Sequence, residues 1–170
     1  MTQDPETRNY MMVLKYAEDG SLRNYLDKNY DKLAWKTKFH DLWFIAYGLN
    51  DIHEKELIHR DLHIGNILSF PNILADANIT SITDMGLCKP ADYNKLENTN
   101  NSAYGVLPYI APEILRRQNY TKAADVYSFG IIMYEVFSGL PPYHDVSHDK
   151  NLALKVCLGL RPSLILKYPN

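Results

Sequence analysis

Two carboxylates and an amide carry the strongest chemical signal in the sequence. Asp61 and Asn66 stand five positions apart in His59-Arg60-Asp61-Leu62-His63-Ile64-Gly65-Asn66, and Asp84 follows eighteen residues later in Asp84-Met85-Gly86. The set suits transfer of a phosphoryl group, which needs a carboxylate to orient the attacking hydroxyl and accept its proton, and oxygen ligands for Mg²⁺. Five residues of loop let Asp61, as acid/base group, and Asn66, as metal ligand, converge on one centre. Asp84 supplies a second metal ligand, and Gly86 lets the backbone turn away. Each piece alone is weak; order and spacing make the signal specific.

Positioning those groups falls to the elements around them. Tyr10 to Lys15 is a β-rich apolar run, and Ser21 after Glu18-Asp19-Gly20 caps a short helix from Leu22 to Asn29. From Trp35 to His53, Phe39, Leu42, Trp43, Ala46, Leu49 and Ile52 fall at helical spacing, predicting a long central helix with one buried stripe. Ile67-Leu68, Ile73-Leu74 and Ile79 to Thr83 read as short strands. Cys88 to Ser102 is polar and Asn-rich, a surface segment suited to regulation. Tyr120 to Ser138 is apolar enough for a helix buried nearly all round, ended by Gly139, and Asp149 to Leu158 makes a last helix.

With 170 residues the chain holds one domain, and 46% hydrophobic with 22% charged residues excludes collagenous and wholly disordered classes. A net charge of −2 with scattered Lys and Arg gives no electrostatic footprint for nucleic acid or a membrane surface, so neither partner is expected. Cys88 and Cys157 lack metal-site spacing and read as reduced, buried thiols. Without a membrane-length apolar run or a signal peptide, a cytoplasmic location is expected.

Two further segments, Gly105-Val106-Leu107-Pro108-Tyr109-Ile110-Ala111-Pro112-Glu113 and Asp125-Val126-Tyr127-Ser128-Phe129-Gly130, complete a set that resembles the eukaryotic protein kinases, nearest the tyrosine-kinase-like group. The resemblance implies an α+β, mainly α, protein-kinase-like fold: the C-terminal lobe with its hinge strand. Residues 1–170 would be a partial kinase domain, with the last small-lobe strand and hinge at about 10–20 and the large lobe at about 21–170. It implies ATP and Mg²⁺ as cofactors, a protein substrate, and transfer of the γ-phosphoryl to Ser/Thr or Tyr hydroxyls in signal transduction. Leu14 would be the gatekeeper, Lys15 and Ala17 would face adenine through their backbones, and Leu68 would pack beneath the ring. Asp125 would hold the catalytic-loop backbone, and Arg60 would bind phosphate or order the loop.

The departures are informative. His63 and Val106 stand where Ser/Thr kinases carry Lys and Thr, so a residue of little charge near pH 7 faces the transferring phosphate and reduced chemistry is expected. Met85 replaces the Phe of the metal-binding triplet, keeping a looser core contact. The eight glycines form no G-x-G-x-x-G loop, and neither the small-lobe Lys and its Glu nor the later Arg partner of Glu113 is encoded, so the chain reads as inactive alone. A pseudokinase-like scaffold is therefore the alternative. A small-molecule phosphotransferase is a second one, because His63-Ile64-Gly65-Asn66 also fits that class. His59 reads as a packed core residue. Thr99, Ser102 and Tyr104 are candidate phosphorylation sites.

Overall fold

The computed structural model describes residues 2–11, 13–71, 78–93 and 103–163. The expected strand at Ile73-Leu74 and the candidate sites Thr99 and Ser102 lie outside the described residues. A hairpin of β1 (Thr2–Gln3) and β2 (Tyr10–Met11) opens the chain. Among the described residues the expected strand stops at Met11 instead of Lys15: residues 13–16 pair with no described strand, and unpaired backbone stays irregular and wet. Val13, Leu14 and Tyr16 are accordingly exposed.

Helix α1 (Leu22–Asn29) begins where the Ser21 hydroxyl accepts from the Asn24 amide, and it buries Leu22 and Leu26. The central α2 (Trp35–Glu54) packs against β5 (Ile79–Ile82) and against α4 (Lys122–Ser138). β4 (Ile67–Phe70) pairs antiparallel with β5 from Ile67↔Ile82 to Phe70↔Ile79. β3 (Leu57–Ile58) pairs with β6 (Lys89–Pro90). These two ribbons hold the loops that carry Asp61 to Asn66 and Asp84. A short α3 (Pro112–Leu115) precedes α4, and α5 (Lys150–Cys157) starts where Asp149 caps the amides of Asn151 and Leu152. Helix α4 starts two residues later than expected and ends at Gly139 with φ 69°. A Cβ there would strike the Tyr30 ring at 2.6 Å, and the Tyr30 hydroxyl donates to the Phe137 carbonyl at 2.5 Å.

The core lies between α1, α2, α4 and the β4–β5 ribbon, with Leu22, Ile45, Ile67, Ile132 and Val136 at its centre. The buried stripe of α2 is corrected by one position: Lys38, Asp41, Leu42, Ile45 and Leu49 go inside, while Phe39 and Trp43 stay about 60% exposed and Ala46 is exposed. Positions 38, 41, 42, 45 and 49 form one face at helical spacing, and Leu42, Ile45 and Leu49 fix it. Lys38 is carried in with them and sits 3.6 Å above the Tyr30 ring. Asp41 is carried in with neither carboxylate oxygen hydrogen-bonded. The displaced aromatics pack on one another, Phe39 against Trp35 and Phe137, Trp43 stacked on Tyr47. Both cysteines are half-buried rather than buried, with free thiols.

Candidate active site

One buried side chain anchors the loop that carries the candidate residues. Asp125, in the first turn of α4, accepts the His59 amide at 2.8 Å, the Arg60 amide at 3.0 Å and the His53 Nε2–H at 2.9 Å. This is the backbone-holding role expected of it. The bonds sustain Arg60 at φ 72°, a left-handed conformation that costs a non-glycine residue about 1 kcal/mol. His59 is fully buried, as expected: its Nε2–H donates to the Thr83 carbonyl at 2.9 Å, so Nδ1 is left to accept the Asp61 amide at 3.3 Å. The Arg60 guanidinium lies 4.5 Å over the Tyr120 ring, whose hydroxyl both donates to the Tyr104 carbonyl and accepts the Tyr104 amide at 2.8 Å. Arg60 thereby ties the loop to the segment after it.

Asp61, His63 and Asn66 converge. The Asn66 amide nitrogen donates to the Asp61 carbonyl at 2.9 Å and reaches its carboxylate at 3.5 Å. Asp61 Oδ1 is buried without a hydrogen-bond partner, an acceptor left open for a hydroxyl. Gly105, at φ 108°, brings the segment from Gly105 to Glu113 so close that a Cβ would stand 3.0 Å from that oxygen. The His63 Nδ1 accepts the Gly65 amide at 3.1 Å, which leaves the proton on Nε2, aimed at Asp61 Oδ1 3.8 Å away. Burial pushes the His63 imidazole below its ordinary pKa, outweighing the neighbouring Asp61 charge, so near pH 7 it serves as a neutral donor. The Thr83 amide donates to the Asn66 carbonyl at 2.8 Å, placing Asp84 next along the chain from the Asn66 contact.

The donor set fits Mg²⁺. Asn66 uses its amide nitrogen on Asp61, which frees its side-chain oxygen, and Asp84 is exposed with Oδ1 on the Gly86 amide at 3.3 Å and Oδ2 open. Among the described residues no group of three or more His, Cys, Asp and Glu could hold a metal alone. One carboxylate and one amide oxygen, completed by phosphates and water, are what this hard, hydrated cation takes. The expected core contact of Met85 is corrected: the tight turn from Asp84 to Leu87 leaves it 44% exposed.

The protein tyrosine and serine/threonine kinase family model matches residues 2–162. The chain belongs to the protein kinase family. It is 32% identical over 165 residues to a probable serine/threonine-protein kinase, roco5, of Dictyostelium discoideum, a match covering 90% of this chain and 6% of that protein. It is 32% identical over 137 residues to the probable serine/threonine-protein kinase PBL18 of Arabidopsis thaliana, covering 80% of this chain and 34% of that protein. A putative serine/threonine-protein kinase/receptor, R818, of Acanthamoeba polyphaga mimivirus is 32% identical over 158 residues, covering 92% and 9%. The chain thus spans about a third or less of the length of these curated relatives. None of the three is named as a small-molecule phosphotransferase.

The residues that the resemblance assigns to adenine are placed unequally. Ala17 is buried and its carbonyl accepts the Gly20 amide, and Leu68 is half-buried and bridges to Ser21. Leu14 is 74% exposed, and Lys15 rests its ammonium 5.2 Å over the Phe70 ring. Glu113 is half-buried and makes no ion pair with a described residue. One group escaped sequence reasoning. The fully buried Glu135 of α4 pairs with Arg23 of α1 and accepts the Tyr109 hydroxyl, while the Ser128 hydroxyl donates to the Tyr109 carbonyl at 2.7 Å. A lone Glu in the otherwise apolar Ile131 to Phe137 run was the available signal, since a charge there needs a partner.

Proposed function

We propose that this kinase transfers the γ-phosphoryl of Mg·ATP to protein Ser/Thr or Tyr hydroxyls in cytoplasmic signal transduction, with about 10–20 as last small-lobe strand and hinge and about 21–170 as large lobe. The open, buried Oδ1 of Asp61 is the observation that carries this reading. Asp61 orients the substrate hydroxyl and takes its proton; His63 donates its Nε2–H beside it; Asn66 and Asp84 offer the oxygen ligands. Leu14, Lys15, Ala17 and Leu68 are assigned to adenine by resemblance. Mg²⁺, when bound, neutralises charge on the phosphates. With a kinase small lobe joined to this chain, Asp61→Asn should lower phosphotransfer by orders of magnitude and leave the melting temperature unchanged, because a loop carboxylate is not core. Asp84→Ala and Asn66→Ala should each weaken Mg²⁺-dependent nucleotide binding, read by calorimetry. Unchanged turnover in Asp61→Asn would remove its assignment.

A neutral His63 where a Lys is usual favours a second reading, a pseudokinase-like scaffold that binds partners without phosphotransfer. Nucleotide binding that is indifferent to Mg²⁺, with no transfer to any peptide, would select it.

A further inference from the structure

Helix α2 (Trp35–Glu54) turns one stripe to solvent along its whole length. Its flanks are taken. On one side Phe39 meets the Phe137 ring of α4 at 5.2 Å, and on the other a Cβ on Gly48 would lie 3.6 Å from Ile82 of β5. Between those flanks Trp43 and Tyr47 stack on each other with ring centroids 5.6 Å apart, and they stay 58% and 56% exposed. Open aromatic pairs of this kind mark interaction sites. The two ends of the stripe carry opposite charges. Lys36 and Glu54, both exposed, differ by eighteen positions, which is five helical turns, so they stand on one line about 27 Å apart. Asn50 donates to Glu54 Oε1 at 2.8 Å and holds that carboxylate on the stripe.

We propose that a second copy of this chain covers the stripe, in a twofold dimer whose α2 helices run antiparallel and meet midway between Trp43 and Tyr47. The pattern is complementary to itself. Trp43 and Tyr47 lie two positions either side of that midpoint, and Lys36 and Glu54 lie nine. A twofold axis there sets Trp43 against Tyr47 of the second copy and Lys36 against Glu54 of the second copy, and each pairing occurs twice. Parallel helices would set Lys36 against Lys36 and Glu54 against Glu54. A shallow crossing of about 20° keeps both ends within reach of a Lys and a Glu side chain. Phe39, Trp43 and Tyr47 present on the order of 350 Å² per copy, so two copies bury about 700 Å² of aromatic surface, short of the ~1,200 Å² of a tight complex. The dimer is therefore weak and reversible, with a dissociation constant on the order of 10 μM. The exposed ion pairs add little affinity and fix the direction. The proposal is independent of the phosphotransfer reading.

Sedimentation velocity of the 170-residue chain, from about 1 μM to about 200 μM, tests the dimer. The chain should pass from monomer to dimer and no further. Trp43→Glu should weaken association about tenfold or more, with the melting temperature unchanged because the ring is exposed in the monomer. Lys36→Glu and Glu54→Lys should each weaken association about fivefold, since each sets two like-charge pairs face to face. The double variant Lys36→Glu/Glu54→Lys should restore the parent affinity. That restoration belongs to antiparallel pairing of two copies, because in a parallel pair each single swap exchanges one like-charge contact for another. A monomer at every concentration would overturn the dimer, as would growth into larger species without a plateau. So would association that Trp43→Glu leaves intact, single swaps that change nothing, or a double swap that fails to restore. A monomer that co-sediments with phosphatidylcholine vesicles and loses them in Trp43→Glu would give the stripe to a lipid surface instead, and the dimer would fall.

Discussion

Asp41 shows what a single buried charge does to this molecule. Its carboxyl is pushed up to about 7 by burial, with no hydrogen bond to offset the loss of water. The unfolded chain releases that proton near pH 4, so the folded state holds it more tightly. The contribution to stability is whole below pH 4 and is lost as pH rises through 7, about 4 kcal/mol in all. Asp41→Leu should therefore melt higher than the parent at pH 8 and match it more closely at pH 4, in thermal scans at both values. Gly105 is a second sensitive position. Gly105→Ala forces a Cβ to 3.0 Å from Asp61 Oδ1 at a φ that side chains avoid. On the proposed reading of Asp61 as the base, and with a kinase small lobe joined to the chain, it should lower phosphotransfer about tenfold or more by displacing that carboxylate, with a smaller effect on peptide affinity.

The helices were legible because their apolar residues repeat at helical spacing and their ends carry Ser21, Gly139 and Asp149. The loop that carries Asp61 and Asn66 was legible because its residues are close in sequence. What sequence could not supply was partnership. Tyr10 to Lys15 has β composition, yet only Tyr10 and Met11 find a strand to pair with. Trp43 looks like core by type, while Lys38 and Asp41 hold the core-facing positions of α2. Arg23 and Glu135 lie on helices far apart in the chain and meet only when α1 docks on α4. The most consequential partnership is that of α4 with the loop that carries Asp61. Asp125→Ala would leave the His59 and Arg60 amides and the His53 ring without their acceptor. A cost of about 3 kcal/mol is expected in urea unfolding, with Asp125→Asn recovering part of it.

Over the whole molecule, apolar surface is unevenly covered. Phe39, Trp43 and Tyr47 line one face of α2 at spacings of four, and Tyr10, Val13, Leu14 and Tyr16 crowd the N-terminal stretch, all more than half exposed. Contiguous patches of this kind bind hydrophobic dyes and promote association. The 170-residue chain should enhance anilinonaphthalene sulfonate fluorescence at neutral pH, and Phe39→Lys/Trp43→Glu should reduce that signal without lowering the melting temperature. An unchanged signal would place the dye on the N-terminal stretch instead.

The three bonds to Asp125 join residues 65, 66 and 72 positions apart in the chain. Closing loops of that length is entropically uphill until the elements at both ends are docked, so contacts of such range form late in folding. Partly folded forms of this chain can hold α2 or the β4–β5 ribbon and still leave Arg60 free to relax out of its left-handed turn. Only the completed assembly aims Asp61. The placing of Asp61 is thus a property of the finished fold, written into contacts between parts of the chain that are distant in sequence.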